Sequence, residues 1–382
     1  MTATAKVRYS SLAALLPAAA IILLLALKVF ANQLYSTSIG RFPAMMVEVM
    51  RSRTLLYFWS PSGYYEDLFN SNRTSREQIL FGSTTFVRDA FRLRRLRPNL
   101  TNVTDWKATD TPVNQFGYIG PDWSITKPLD TRRVAVLGDS VPEGYGVNMN
   151  QGFVYLLANR LNEAPASQPS PQFEVLNFSV SGYELTQMMD VAARDTPQFH
   201  PDVYMVILTE LSVHRGWDSH LVYLIKSGID LRYDFLRDVV RRADARQTDS
   251  EAVLSAKLAP YRMEIIRKSL LEMKQTADQH GAQFIIVLAP TLEDADIARR
   301  RFAGIPELLS SMNVGFIDLS DIFMPMLDRE SVRQSRTDVH PNIAGHRMIC
   351  DALFAQLHAN HDLWTQLTGV ASSRFPDASP SQ

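Results

Sequence analysis

From residue 133 onward the chain alternates short β-rich apolar runs with longer stretches of helical spacing, and few folds accommodate that rhythm. The runs are VAVLG at 134–138, FEVLNFS at 173–179, VYMVIL at 203–208, FIIVLA at 284–289 and VGFIDL at 314–319. Between them lie FVYLLANRLN, LTQMMDVAARD and YRMEIIRKSLLEMKQTADQHG, each with apolar residues three and four apart. A last helical stretch, NIAGHRMICDALFAQLH, begins at Asn342, an N-cap candidate. Strands alternating with helices predict a parallel sheet covered on both faces, with active residues gathered at the carboxyl ends of the strands.

Five strands suit a flavodoxin-like three-layer α/β/α sandwich, although their order is not legible. Residues 213–260 break the rhythm and are too long for a simple strand-to-helix connection. Their Leu, Tyr and Phe spacing predicts helices, read either as an insertion over the active-site edge or as a plain structural extension. The domain reading is therefore a tail and membrane segment at 1–31, a neck and entry region at 32–111, the α/β domain at 112–362, and a disordered polar tail at 363–382.

Composition narrows the function classes. Hydrophobic residues make up 46% and charged residues 21%, enough apolar material for a sizeable core. Lys and Arg number 39 against 40 Asp and Glu, a net charge of −1, which argues against a nucleic-acid binder. The single cysteine, Cys350, excludes an intramolecular disulfide and a multi-cysteine zinc site, and reads as a small buried hydrophobe in the last helix. No His spacing of metal-ligand type appears, so neither a metal nor another cofactor is expected.

Residues 12–27 read LAALLPAAAIILLLAL, without a charge, followed by Lys28 and the apolar residues 29–31. With Lys28 snorkelling to the interface, this run reaches the length of a membrane-spanning helix. A cleaved signal peptide is the competing reading, with Lys6 and Arg8 as its charged start and 29–31 as its cleavage site. Lys6 and Arg8 also favour a cytoplasmic amino terminus, which puts the rest of a single-pass chain on the non-cytoplasmic side of the cell membrane. Further on, Arg88, Arg92, Arg94, Arg95 and Arg97 crowd FVRDAFRLRRLRP. That run reads as a basic helix on anionic headgroups or as a solvated helix face.

The chemistry-bearing residues fall at two places. Gly138-Asp139-Ser140 follows the first apolar run directly, which puts Ser140 at a strand's carboxyl end, hydroxyl outward and N–H toward a developing oxyanion. Alone, that tripeptide occurs by chance in about one chain in ten of this length. Asp338-Val339-His340-Pro341-Asn342 comes two hundred residues later, between the last strand and the last helix. His340 is positioned to act as general base toward Ser140, with Asp338 holding its imidazole.

Together these blocks resemble the SGNH/GDSL hydrolases, serine esterases and acyltransferases on a flavodoxin-like sheet, over about residues 112–360. Gly138-Asp139-Ser140 with Gly144 and Gly146 matches the family's nucleophile motif, and Asn177-Phe178-Ser179-Val180-Ser181-Gly182 is similar to its glycine block. The resemblance implies that Gly182 lends its N–H to the oxyanion hole. Asn114-Gln115-Phe116-Gly117-Tyr118-Ile119-Gly120 looks like the entry motif of membrane-anchored and secreted members. Two departures matter. The Asp three residues before His is replaced by Thr337, leaving Asp338 at the shorter spacing. The Gly-x-Asn-Asp segment, whose Asn completes the oxyanion hole, is replaced by Leu208-Thr209-Glu210-Leu211-Ser212-Val213-His214. Ser212, Thr209 or His214 are the candidate substitutes as donors.

The resemblance implies a membrane-anchored serine esterase removing a small acyl group, acetyl first among them, from a cell-envelope glycan or related ester. An O-acyltransferase using the same residues would need a separate acyl-donor membrane protein. The other class is a non-catalytic binding or scaffold protein on a degenerate hydrolase fold, which the missing Asn favours and the retained Ser140, Asp338 and His340 oppose.

Overall fold

The computed structural model describes residues 85–103, 110–163, 171–214, 217–290, 292, 300–324, 330–335 and 338–369. All belong to the second of two compact units, residues 64–382. The chain runs through β1 (Phe86–Asp89), β2 (Leu93–Leu96), β3 (Thr131–Leu137), α1 (Ser140–Glu143), α2 (Phe153–Asn162), β4 (Gln172–Asn177), α3 (Leu185–Arg194) and β5 (Val203–Leu208). It continues through α4 (Glu210–Val213), α5 (Ser219–Ser227), α6 (Asp234–Arg242), α7 (Glu251–Leu258), α8 (Arg262–Gln279) and β6 (Gln283–Leu288). The last elements are α9 (Ile305–Ser311), β7 (Phe316–Asp318), α10 (Ile343–Ala359) and α11 (His361–Thr368).

Strands β3 to β7 form one parallel sheet in the order β4-β3-β5-β6-β7. The strand order reverses at β3, so β3 and β5 flank the crevice where open α/β sheets bind their ligands. Strand periodicity divides the core into two layers. Val134, Val136, Met205, Ile207, Ile285 and Val287 pack with α2, α10 and α11. Ala135, Leu137, Tyr204, Val206, Leu208, Ile286 and Leu288 pack with α3 and α8 on the opposite face. Every residue of β5 is buried, which is why VYMVIL is continuously apolar and not alternating. Helices α5, α6 and α7, from the segment that broke the rhythm, bury Leu221, Leu236, Val239, Leu254 and Leu258 in the α3–α8 layer and extend it.

Four sequence expectations need correction or delimiting. The basic run at 88–97 is a hairpin, not a helix: β1 and β2 pair antiparallel around a turn in which Asp89 Oδ1 accepts the N–H groups of Phe91 and Arg92. Arg88, Arg95 and Arg97 are exposed, but Arg92 and Arg94 are buried and lie on no lipid or solvent face. Phe86, Phe91, Leu93 and Leu96 join the same core as the sheet, so the neck does not end as a separate piece at residue 111. Likewise α11 buries Leu363, Trp364 and Leu367, so residues 363–369 are part of the fold and not of a disordered tail. The apolar run at 12–31 and the tail beyond 369 lie outside the described residues. Among the described residues, no helix is long and apolar enough to cross a membrane.

Beside that apolar packing, ion pairs tie the hairpin to α3. Arg92 Nε donates to Asp190 Oδ2 at 2.7 Å, and its two terminal nitrogens reach both oxygens of Asp195 at 2.6 and 2.7 Å. Asp190 sits within α3 and Asp195 at its carboxyl end. Asp195 also accepts the Tyr118 hydroxyl at 2.5 Å, which ties in the 114–120 turn. Removing one partner of a buried ion pair strands the other, at a cost of about 3 kcal/mol. Arg92→Met is therefore expected to lower unfolding stability by that amount in urea titration. The exposed Arg95→Met should change it by about 0.5 kcal/mol or less.

Candidate active site

Three segments converge at the carboxyl end of the sheet. The first is the turn from β3 into α1. A Cβ at Gly138 would meet Pro142 Cγ at 2.3 Å and the Ile207 carbonyl oxygen at 3.2 Å, so only glycine lets this turn close against β5. Asp139 caps α1, its Oδ1 accepting the Val141 N–H at 3.0 Å. Gly144 ends the four-residue helix in the left-handed region, φ 84°.

The second segment follows β4. Asn177 Nδ2 donates to the Pro142 carbonyl at 2.8 Å, and the Val180 N–H reaches the Gly138 carbonyl at 3.2 Å. These bonds hold residues 178–183, including Gly182 with φ 73°, against the Ser140 turn. The third segment precedes α10. The Leu292 N–H bonds the Val339 carbonyl at 2.9 Å, the Gln334 N–H bonds that of His340 at 2.9 Å, and Asn342 caps α10 by accepting the N–H groups of Ala344 and Gly345.

Convergence brings Ser140 Oγ to 2.8 Å from His340 Nε2, and His340 Nδ1 to 2.6 Å from Asp338 Oδ1. The Asp338 oxygen also accepts the His340 backbone N–H at 3.0 Å. Ser140 and His340 are both buried. Burial opposes ionisation of Asp338, but its bonds to His340 outweigh that and hold the carboxyl below its ordinary range. An ionised carboxylate only accepts, so Nδ1 carries the ring proton and the Nε2 lone pair faces the serine hydroxyl. The Tyr145 ring lies 4.5 Å from the His340 ring, tilted by 38°. Arranged this way, the three side chains can take a proton from Ser140 as it attacks. Thr337 lies outside the described residues.

The oxyanion side is less expected. Among the described residues, neither the Ser140 N–H nor the Gly182 N–H has a hydrogen-bond partner. The hydroxyls of Thr209 and Ser212 are both engaged. Thr209 Oγ1 donates to Asp139 Oδ2, and Ser212 Oγ donates to the Thr209 carbonyl at 2.9 Å while accepting the Thr209 N–H at 3.0 Å. They form the N-terminal cap of α4, and neither hydroxyl hydrogen is left for a substrate oxygen. The Asp139–Thr209 bond bridges the ends of β3 and β5 across the crevice, a role the sequence did not disclose because neither residue matches a motif that predicts it. No group of three or more His, Cys, Asp or Glu among the described residues is arranged to hold a metal ion.

No protein-family model and no curated protein matches the sequence. Solved structures similar to this chain include TesA, at 14% identity and TM-score 0.38, over 59% of this chain and 98% of that one. Another is the psychrotrophic esterase EstA from Pseudoalteromonas sp., at 12% identity and TM-score 0.39, over 60% of this chain and 97% of that one. A third is Axe2, an acetylxylan esterase from Geobacillus stearothermophilus, at 13% identity and TM-score 0.39, over 59% and 94%. Likeness at this level identifies neither family nor activity, and the chemistry has to be read from the site itself.

Asp139 gives that site a measurable pH signature. Burial pushes its carboxyl above the ordinary range, against the opposing pull of the Thr209 hydroxyl, the Val141 N–H and His340. Because the folded value is raised, the favourable contribution of the protonated form is complete below the unfolded carboxylate range and is lost as pH rises through the folded value. Thr209→Val removes a donor and raises that value further. Thr209 Oγ1 also accepts the Ser212 N–H as the cap of α4. The variant is therefore expected to cost about 1 kcal/mol near pH 3.5 and about 1–3 kcal/mol more at neutral pH, read by denaturant midpoints across that range.

Proposed function

We propose that this chain is a serine esterase that removes small acyl groups, acetyl among them, from a cell-envelope glycan or a related ester. The observation that carries this reading is the continuous relay Ser140–His340–Asp338, at 2.8 and 2.6 Å, at the carboxyl end of a parallel sheet. Ser140 Oγ attacks the ester carbonyl carbon while its proton passes to His340 Nε2. The negative charge that develops on the carbonyl oxygen is met by the N–H groups of Ser140 and Gly182. His340 then returns the proton to the leaving alkoxide, freeing the alcohol and leaving the acyl group on Ser140. Water, deprotonated by the same imidazole, attacks the acyl-enzyme and releases the acid and the serine. Asp338 keeps the ring in the required tautomer and stabilises the imidazolium in both halves.

A scaffold role on the same fold is the second reading, favoured by the segment after β5. With no Asn there and the Thr209 and Ser212 hydroxyls engaged, neither hydroxyl adds a donor to the two backbone N–H groups, and losing one oxyanion donor costs about 10²–10³ in rate. For location, the reading places the site on the non-cytoplasmic face of a membrane, supported by the uncharged run at 12–27 behind Lys6 and Arg8. Intact chain should stay with carbonate-washed membranes, whereas a soluble form beginning near Asn32 defeats the anchor.

The test of chemistry is a serine-directed fluorophosphonate together with turnover of short acyl esters. Ser140→Ala should abolish both, and His340→Ala should be nearly as damaging. Asp338→Asn should be milder, since nucleophile and base remain in place. Wild-type turnover by a pure Ser140→Ala preparation would sink the serine mechanism. Neither labelling nor turnover by the unmutated protein makes the scaffold reading the better one.

A further inference from the structure

Ser181, the residue before Gly182, is held from two sides. Its hydroxyl donates to the buried carboxylate of Glu143, which lies on the same short helix as Ser140. Its carbonyl accepts from Arg94 Nη2 at 2.9 Å, a buried bond between segments 87 residues apart. Arg94 belongs to β2, outside the α/β domain proper, and is only 5% exposed. Its guanidinium carbon lies 4.5 Å from the centre of the Phe86 ring. Its own carbonyl accepts the Tyr183 hydroxyl at 2.7 Å, so the hairpin grips the loop on both sides of Gly182.

The Ser181 carbonyl and the Gly182 N–H are opposite ends of one peptide plane. In a trans peptide the two point in opposite directions, so fixing the carbonyl fixes the N–H and turns it away from the hairpin. Gly182, with φ 73° and no side chain of its own to lock that plane, depends on such an external hold. A cation on the carbonyl also polarises the amide, which makes its N–H a stronger donor. With the Thr209 and Ser212 hydroxyls engaged elsewhere, the two backbone N–H groups carry more of the oxyanion's charge than they would if either hydroxyl also donated.

We propose that Arg94 is a positioning residue for ester cleavage: through the Ser181 carbonyl it sets the direction and donor strength of the Gly182 N–H. The inference rests on the esterase reading above. It predicts a defect confined to the transition state, because the ground-state ester carbonyl demands less of that donor than the oxyanion does. Lysine is not an equivalent replacement, since an ammonium lacks the rigid fork and the stacking on Phe86.

The experiment compares Arg94→Met, Arg94→Lys and Arg92→Met with the unmutated full chain on a short acyl ester, alongside thermal unfolding and the rate of fluorophosphonate labelling. Arg94→Met should lower kcat about tenfold, a fraction of the loss from deleting an oxyanion donor outright, with KM within about twofold. Labelling should slow by a similar factor, and Arg94→Lys should fall between. Arg92→Met, in the same hairpin but bonded to α3, should lose stability while its kcat stays within about twofold below its unfolding temperature. Wild-type kcat in folded Arg94→Met overturns the proposal. So does an equal fall in kcat for Arg92→Met, which would make the effect one of hairpin packing. If Arg94→Met does not fold, Arg94→Lys decides: a loss of about twofold to fivefold in kcat at unchanged KM supports the proposal, and a wild-type kcat overturns it. An unmutated protein that neither labels nor turns over defeats the esterase reading itself, and the positioning role with it, whereas an active wild type with indifferent Arg94 variants defeats only the latter.

Discussion

A parallel strand with neighbours on both sides must satisfy both ladders at once, and in this protein β3 is the strand at which the strand order reverses. It pairs with β4 through Thr131 to Val136 and with β5 through Val134 to Leu137. Both ladders end near Leu137, so the next residues leave the sheet together with the ends of β4 and β5. That shared exit brings Ser140, Gly182 and Thr209 to one crevice although 69 residues separate the first from the last. Helices α2 and α3 then fall on opposite faces, because the crossover from β3 to β4 and the one from β4 back across β3 to β5 run in opposite directions with the same hand.

Burying polar groups in such a frame has a cost that the structure offsets one partner at a time. Arg133, with no exposed surface, spreads its guanidinium over the carbonyls of Ser124, Ile125 and Phe199 and the carboxylate of Glu174. Arg92 satisfies two carboxylates, and Asp190 in turn also takes Arg232 and the Tyr233 hydroxyl. His220 shows the opposite solution. Burial pushes its imidazole down to about 4, so it stays neutral and bridges the Thr186 hydroxyl and the Phe91 carbonyl at 2.7 and 2.6 Å. The carbonyl can only accept, which assigns the proton to Nε2 and leaves Nδ1 to accept from Thr186.

These contacts join the amino-terminal hairpin to the α/β layer at several independent points. Arg92 reaches α3, His220 of α5 reaches back to Phe91, and Arg94 reaches the loop behind Gly182. The hairpin thus braces the wall of the crevice and the helix behind it, well beyond what its two short strands could stabilise alone.

Much of this architecture was legible from local pattern. Continuous apolar runs such as VYMVIL point to a strand buried on both faces, since they are short and rich in β-branched and aromatic residues. Asp338, His340 and Ser140 were legible as candidates because a nucleophile, a base and its holder each require a particular residue type at a strand end. The order of the strands was not legible, because every crossover sequence permits several neighbours. The basic run at 88–97 misled for a related reason: arginine spacing carries no information on what the guanidinium meets. Only tertiary structure supplies Asp190, Asp195 and the Ser181 carbonyl as partners, and those decide burial. The sequence by itself determined the element types and the residues able to perform chemistry, since both follow from side-chain identity and short-range periodicity. Tertiary structure decided which donors remain available at the crevice, because whether a hydroxyl such as that of Thr209 can reach a substrate depends on what already accepts its proton from across the sheet.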